Sequence, residues 1–145
     1  MYFDELRVGM AADVAPVTIE KQAILDFSRR YDDLPLHTDE EYARTTPFGG
    51  IIASGVLSYM SVWSKYLEAD FFAGGLLAGK SMRVEWHRPV YPGDTLTARA
   101  EVTKLTPRSE RNGLAELTIR AWNQRGEAVL TGVNEAVVKC LPKEP

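Results

Sequence analysis

The spacing of apolar positions changes along this chain. Before residue 70 they recur every three or four residues, as on one face of a helix; after residue 80 they alternate with polar ones. Ala23, Phe27 and Tyr31 are four apart, with Ile24 beside them, and predict an amphipathic helix over about 19–31. Thr18 resembles its N-cap, and Glu20 places negative charge in the first turn, where it suits the helix dipole. Pro35 lacks a backbone donor and restricts Leu34, so the helix should stop before it. Thr38-Asp39-Glu40-Glu41 fits a capping box and predicts a second short helix through about Arg44. Upstream, Gly9 and Pro16 break short extended pieces, and Val14–Val17 reads as an edge strand, where a proline is tolerated.

Ile52, Val56, Leu57, Tyr59, Met60, Val62, Trp63 and Leu67 predict a helix over about 52–67 that is apolar nearly all round and so buried on most sides. Ser54, Ser58 and Ser61 form a narrow stripe on it, which either lets a sheet pack closely or lines a polar tunnel. Beyond Gly74, Gly75 and Gly79, Met82, Val84 and Trp86 alternate with Arg83, Glu85 and His87 in a half-buried strand, ended by Pro89 and the turn Pro92-Gly93-Asp94. Leu96, Ala98, Ala100 and Val102 mark a second strand; Leu117, Ile119 and Ala121 mark a third. Asn123-Gln124-Arg125-Gly126 reads as a hairpin loop, and 127–139 as a fourth strand with a bulge at Gly132. An antiparallel meander preceded by one apolar helix predicts an α+β fold in which a curved sheet wraps that helix.

Composition narrows the possibilities. The 145 residues carry no repeat, low-complexity run or linker, so residues 1–145 read as one domain. The formal charge is −3 with the signs interspersed, and no basic block points to nucleic acid or an anionic membrane. The single cysteine, Cys140, excludes an intrachain disulfide and a cysteine-rich zinc site, and fits a reducing cytoplasm. The N-terminus lacks the basic-then-apolar pattern of a secretory signal, and the apolar helix is shorter than the ~20 residues of a membrane span.

The chemistry concentrates in Tyr31–Asp39. On a continuous helix Asp32 and His37 would point about 140° apart. A bend at Leu34-Pro35 frees both to face one cleft, where a water would meet an orienting carboxylate and a proton acceptor. Gly49 and Gly50 follow, in a loop where they permit either backbone geometry closed to other residues or close approach by a ligand. His87 falls on the polar side of its strand and reads as solvated, and two separated histidines without further ligands do not suggest a metal site. Trp63, Tyr66 and Phe71-Phe72 read as core or dimer contacts.

Three motifs in order carry a resemblance. Asp32-x-x-Pro35-x-His37-x-Asp39, Phe48-Gly49-Gly50-Ile51-Ile52-Ala53-Ser54-Gly55 and Arg88-Pro89-Val90-Tyr91-Pro92-Gly93-Asp94-Thr95-Leu96 resemble the MaoC-like dehydratases, which include the R-specific enoyl-CoA hydratases of the hot-dog fold. The resemblance implies a sheet wrapped around a long central helix, a homodimer or higher homo-oligomer, and an acyl-CoA or acyl-carrier thioester as substrate, without a cofactor. It places the catalytic acid at Asp32 and the catalytic histidine at His37. Substrate contacts fall at Gly55, whose N–H would meet the thioester oxygen, and at Ser54, Pro35 and Phe48. Arg83, Arg88, Arg108 and Arg111 are the candidates for the phosphates of CoA. Many hydratases have asparagine where Leu34 stands and histidine where Ser54 stands. The second departure is expected to shape the acyl pocket, and neither is expected to touch Asp32 or His37. A hot-dog thioesterase and a non-catalytic acyl-binding module are the alternatives.

Overall fold

Five strands make one antiparallel sheet in the order β1-β3-β4-β5-β2, in a computed structural model that describes all residues Met1–Pro145. The strands are β1 (Ala11–Thr18), β2 (Leu76–Trp86), β3 (Thr95–Pro107), β4 (Asn112–Trp122) and β5 (Ala128–Lys139). Between β1 and β2 come α1 (Lys21–Tyr31), the single turn α2 (Pro35–Thr38), α3 (Glu40–Arg44) and α4 (Gly55–Tyr66). The alternation expected for β3 and β4 is present: Leu96, Ala98, Ala100, Val102, Leu117, Ile119 and Ala121 are all buried. They form one core with Tyr59, Val62 and Tyr66 of α4. The sheet wrapped on α4 is the hot-dog arrangement. No helix is long and apolar enough to cross a membrane.

Several boundaries differ from expectation. Thr18 ends β1 instead of capping α1; its hydroxyl is 2.8 Å from that of Thr95 on the neighbouring strand, and Glu20 precedes α1. Pro16 sits where the β1–β3 register shifts between Val14 and Val17, so its missing donor costs no ladder bond. Asp39, not Thr38, caps α3, accepting from the Tyr42 N–H at 3.1 Å. The Thr38 hydroxyl donates instead to the Leu34 carbonyl at 3.2 Å, because Pro35 starts a helical turn at α2 that already contains Thr38. Helix α4 begins at Gly55 because the preceding residues are held extended: the Ile52 N–H donates to the Leu36 carbonyl at 3.3 Å and the Ala53 N–H to the Val90 carbonyl at 2.8 Å.

Two expectations about packing are corrected. Strand β2 is not half-buried: Met82 is 50% and Trp86 48% exposed. It is an outer strand bonded only to β5, and α4 runs closest to β1 and β3, leaving β2 uncovered. Val56 on α4 and Leu67 just past its end are likewise exposed, so that helix is not enclosed all round. Gly132 is not a bulge, since the register runs through it on both sides. It accommodates Tyr59, whose ring would lie 2.3 Å from a Cβ at that position.

Candidate active site

The site starts at the end of α1. The Asp32 N–H makes the last bond of that helix, to the Ser28 carbonyl at 2.9 Å, and its carbonyl then accepts from the Leu34 N–H at 2.8 Å. That reversal hands the chain to Pro35, the first residue of α2, where a fixed φ and an absent donor are both tolerated. The turn sends His37 inward, where its side chain is 7% exposed, while that of Asp32 is 32% exposed.

His37 has one defined tautomer. Its Nδ1 lies 2.7 Å from the Ile52 carbonyl, which can only accept, so Nδ1 carries the proton and Nε2 presents a lone pair. That Nε2 is 3.5 Å from Asp32 Oδ2, beyond an ordinary hydrogen bond. The Ser54 hydroxyl donates to the same Oδ2 at 2.7 Å. Asp32 Oδ2 and, on the neutral ring, the acceptor nitrogen of His37 thus stand side by side, too far apart for a direct bond.

Beside them is a cavity of about 430 Å³. Asp32, His37, Phe48, Ser54 and Gly55 are in its wall, which places five of the six residues expected from sequence around one space. Pro35 is exposed and outside the wall, and its part is to turn the chain. The first turn of α4 borders the cavity, and the N–H groups of Gly55, Val56 and Leu57 have no backbone acceptor. A developing negative charge beside them would meet free donors and the positive end of the helix dipole. Ser58 continues the serine stripe into the wall, whereas Ser61 lies outside it and bonds the Leu57 carbonyl at 2.8 Å.

Residues 5–122 match the family model described as MaoC like domain. The chain belongs to that family. It is 39% identical over 106 residues to an (R)-specific enoyl-CoA hydratase of Aeromonas caviae, covering 72% of this chain and 73% of the relative. It is 30% identical over 145 residues to a 3-hydroxybutyryl-CoA dehydratase of Methylorubrum extorquens, covering 99% of this chain and 87% of the relative. Among solved structures, the MaoC-like dehydratase from Rhodospirillum rubrum superposes with a TM-score of 0.88 at 31% identity, covering 99% of each chain.

Two wall residues of this MaoC-like chain escaped sequence reasoning. Trp86 was assigned to a buried face, yet its indole packs on Gly55, where a Cβ would meet it at 2.4 Å, and its Nε1–H donates to the Gly55 carbonyl at 2.9 Å. The bare face of Gly55 therefore admits an indole. His87 is exposed, as expected, and also borders the cavity, with Nε2 3.0 Å from the Thr131 hydroxyl. The two side chains come from consecutive residues at the end of β2, where a period-two pattern no longer sorts inside from outside. Of the four arginines considered for CoA phosphates, Arg88 alone borders the cavity; it pairs with Glu127 at 2.9 Å. Hydrogen bonds from Arg125 and Asn123 hold the Glu127 carboxyl below the usual range.

Proposed function

We propose that this chain adds water to, or removes it from, the double bond of a 2-enoyl thioester, with Asp32 and His37 handling the water. The observation that carries the reading is the 3.5 Å gap between Asp32 Oδ2 and His37 Nε2 at the cavity wall. Two acceptors placed so suit a water molecule, which has two hydrogens to give. With Nδ1–H committed to the Ile52 carbonyl, Nε2 is the atom that takes the proton as the water oxygen bonds to the β-carbon. The pair returns a proton to the α-carbon, so the elements of water are added across the double bond. Charge that builds on the thioester oxygen in between is met by the free N–H groups at the start of α4, an interaction type worth about 3–4 kcal/mol per donor. The named hydratase and dehydratase relatives support an acyl-CoA as the carrier.

The same reading includes a homodimer. Strand β2 keeps one edge free and exposes Leu77, Met82 and Trp86, apolar side chains that a second copy would cover.

The decisive experiment is a panel of 2-enoyl-CoA substrates of increasing length, with loss of the conjugated-bond absorbance followed over time. Turnover of at least one member is expected. Release of free CoA from saturated acyl-CoAs, with no change in any enoyl substrate, would replace this reading with hydrolysis.

A further inference from the structure

We propose that Ser54 is a positioning residue: its hydroxyl aims the Asp32 carboxylate at the water site. The inference rests on the hydratase reading above and deepens it.

Ser54 precedes the first turn of α4, the N-cap position, where a serine ordinarily accepts a hydrogen bond from the second or third N–H of its own helix. Ser54 makes no such bond. Its hydroxyl donates instead to Asp32 Oδ2 at 2.7 Å, across 22 residues of sequence. The side chain thus forgoes its usual local partner for a tertiary one, and the N–H groups it would have capped stay free beside the cavity.

Asp32 needs such a partner. It stands at the end of α1, a third exposed, and Ser54 is the side chain that donates a hydrogen bond to it, while His37 Nε2 at 3.5 Å is beyond bonding range. Without a donor the carboxylate is free to turn toward solvent or toward Arg29 and Arg30 in the last turn of its own helix. Ser54 can supply a fixed donor because it is itself fixed. It is fully buried, its carbonyl accepts the Ser58 N–H at 3.1 Å, and the neighbouring Ala53 is bonded to Val90. The bond takes one lone pair of Oδ2, the oxygen nearest His37, and leaves its other lone pair for the water between the two residues, while Oδ1 has no protein partner. The departure at position 54, expected from sequence to leave the catalytic pair untouched, acts on it directly.

The test compares wild type, Ser54→Ala, Ser54→Thr and, as a control on the same helix outside the cavity, Ser61→Ala. With an enoyl-CoA that wild type turns over, Ser54→Ala should lose on the order of 10- to 100-fold in kcat, the effect of removing a hydrogen bond to a charged group, with KM within about twofold. Ser54→Thr, which keeps the hydroxyl, should recover most of the loss, and Ser61→Ala should match wild type. Unchanged kcat in Ser54→Ala overturns the proposal, and so does a rise in KM at constant kcat, which would make Ser54 a substrate contact. Crystal structures of wild type and Ser54→Ala supply a reading that needs no turnover. An Asp32 carboxylate that leaves its place beside His37 supports the proposal, and one that stays overturns it. If wild type converts no enoyl-CoA at all, the hydratase reading fails on its own while the crystallographic comparison still decides the role of Ser54.

Discussion

Ser54 and Tyr59 stand five residues apart at the start of α4, and each commits a hydroxyl to a distant acceptor. Tyr59 donates to Asn134 Oδ1 at 2.7 Å, and the Asn134 amide donates to the Leu117 carbonyl at 3.3 Å. Both residues are buried, and the Tyr59 ring is seated against Gly132. Around Ser54 the chain of partners stops short: Asp32 Oδ1 and His37 Nε2 have no protein donor, and a cavity lies alongside. An unpaired buried polar atom costs about 1–3 kcal/mol, which is why the enclosed Tyr59 network is closed by protein partners, whereas Asp32 and His37 face a cavity and escape that penalty. The Tyr59 cluster is completed by protein and serves the fold. The Asp32 cluster opens onto the cavity.

That contrast breaks most sharply under substitution of the pair itself. Asp32→Asn and His37→Ala should each lower kcat/KM for an enoyl-CoA by about 1,000-fold or more, the upper range for a positioned acid or base. Asp32→Asn should leave the thermal midpoint nearly unchanged, since Asp32 is partly open to water and lies outside the core. His37→Ala also strips the Ile52 carbonyl of its donor and should cost about 1–2 kcal/mol of stability. Turnover of either variant within tenfold of wild type would remove the distinction between the clusters.

The next effect falls on the other cluster. Gly132→Ala forces a methyl group against the Tyr59 ring, which is buried and hydrogen-bonded and has nowhere to go. Overpacking of this kind costs about 1–3 kcal/mol. For a domain of this size that lowers the melting temperature by about 4 °C per kcal/mol. Calorimetry should show that loss while kcat of the folded protein for an enoyl-CoA stays close to wild type. An unchanged melting temperature would mean that the glycine is not needed for the close approach.

The same two clusters show how far the residues alone could be read. Period-two alternation located β3 and β4, because both faces of those strands are decided by local pattern against a single core. Period-four spacing located α1, and the proline between Asp32 and His37 located the turn that brings them together. Other features depend on partners far away in sequence. Thr38 and Asp39 are both competent caps, and which one serves was settled by whether Pro35 began its own turn. Gly132 reads equally as a bulge or a close approach until Tyr59 is placed on it. The outward exposure of β2 follows from where α4 lies over the sheet, which no property of β2 encodes. The Ser54–Asp32 bond likewise joins two motifs that were read separately.

The smallest effect is at high pH and again separates the clusters. Burial pushes the Tyr59 hydroxyl up to about 12 from an ordinary value of 10.0. An unfolded chain releases that proton near pH 10, before the folded one does, so the stability tied to Tyr59 is fully present below pH 10 and is lost as pH rises through about 12. At pH 11, one pH unit past the unfolded value, the loss is about 1 kcal/mol. Tyr66 is pushed upward as well, first by burial and then by the charge of Asp70, and adds to the fall in the same window. Tyr59→Phe has no proton to lose at that position. It should be less stable than wild type at pH 9, where it lacks the bond to Asn134, and the gap should narrow by about 1 kcal/mol at pH 11. Urea midpoints for both proteins at the two pH values measure the gap. A gap that stays constant would mean that the Tyr59 hydroxyl reaches water in the folded state, and the cluster taken to be closed would be open like its neighbour.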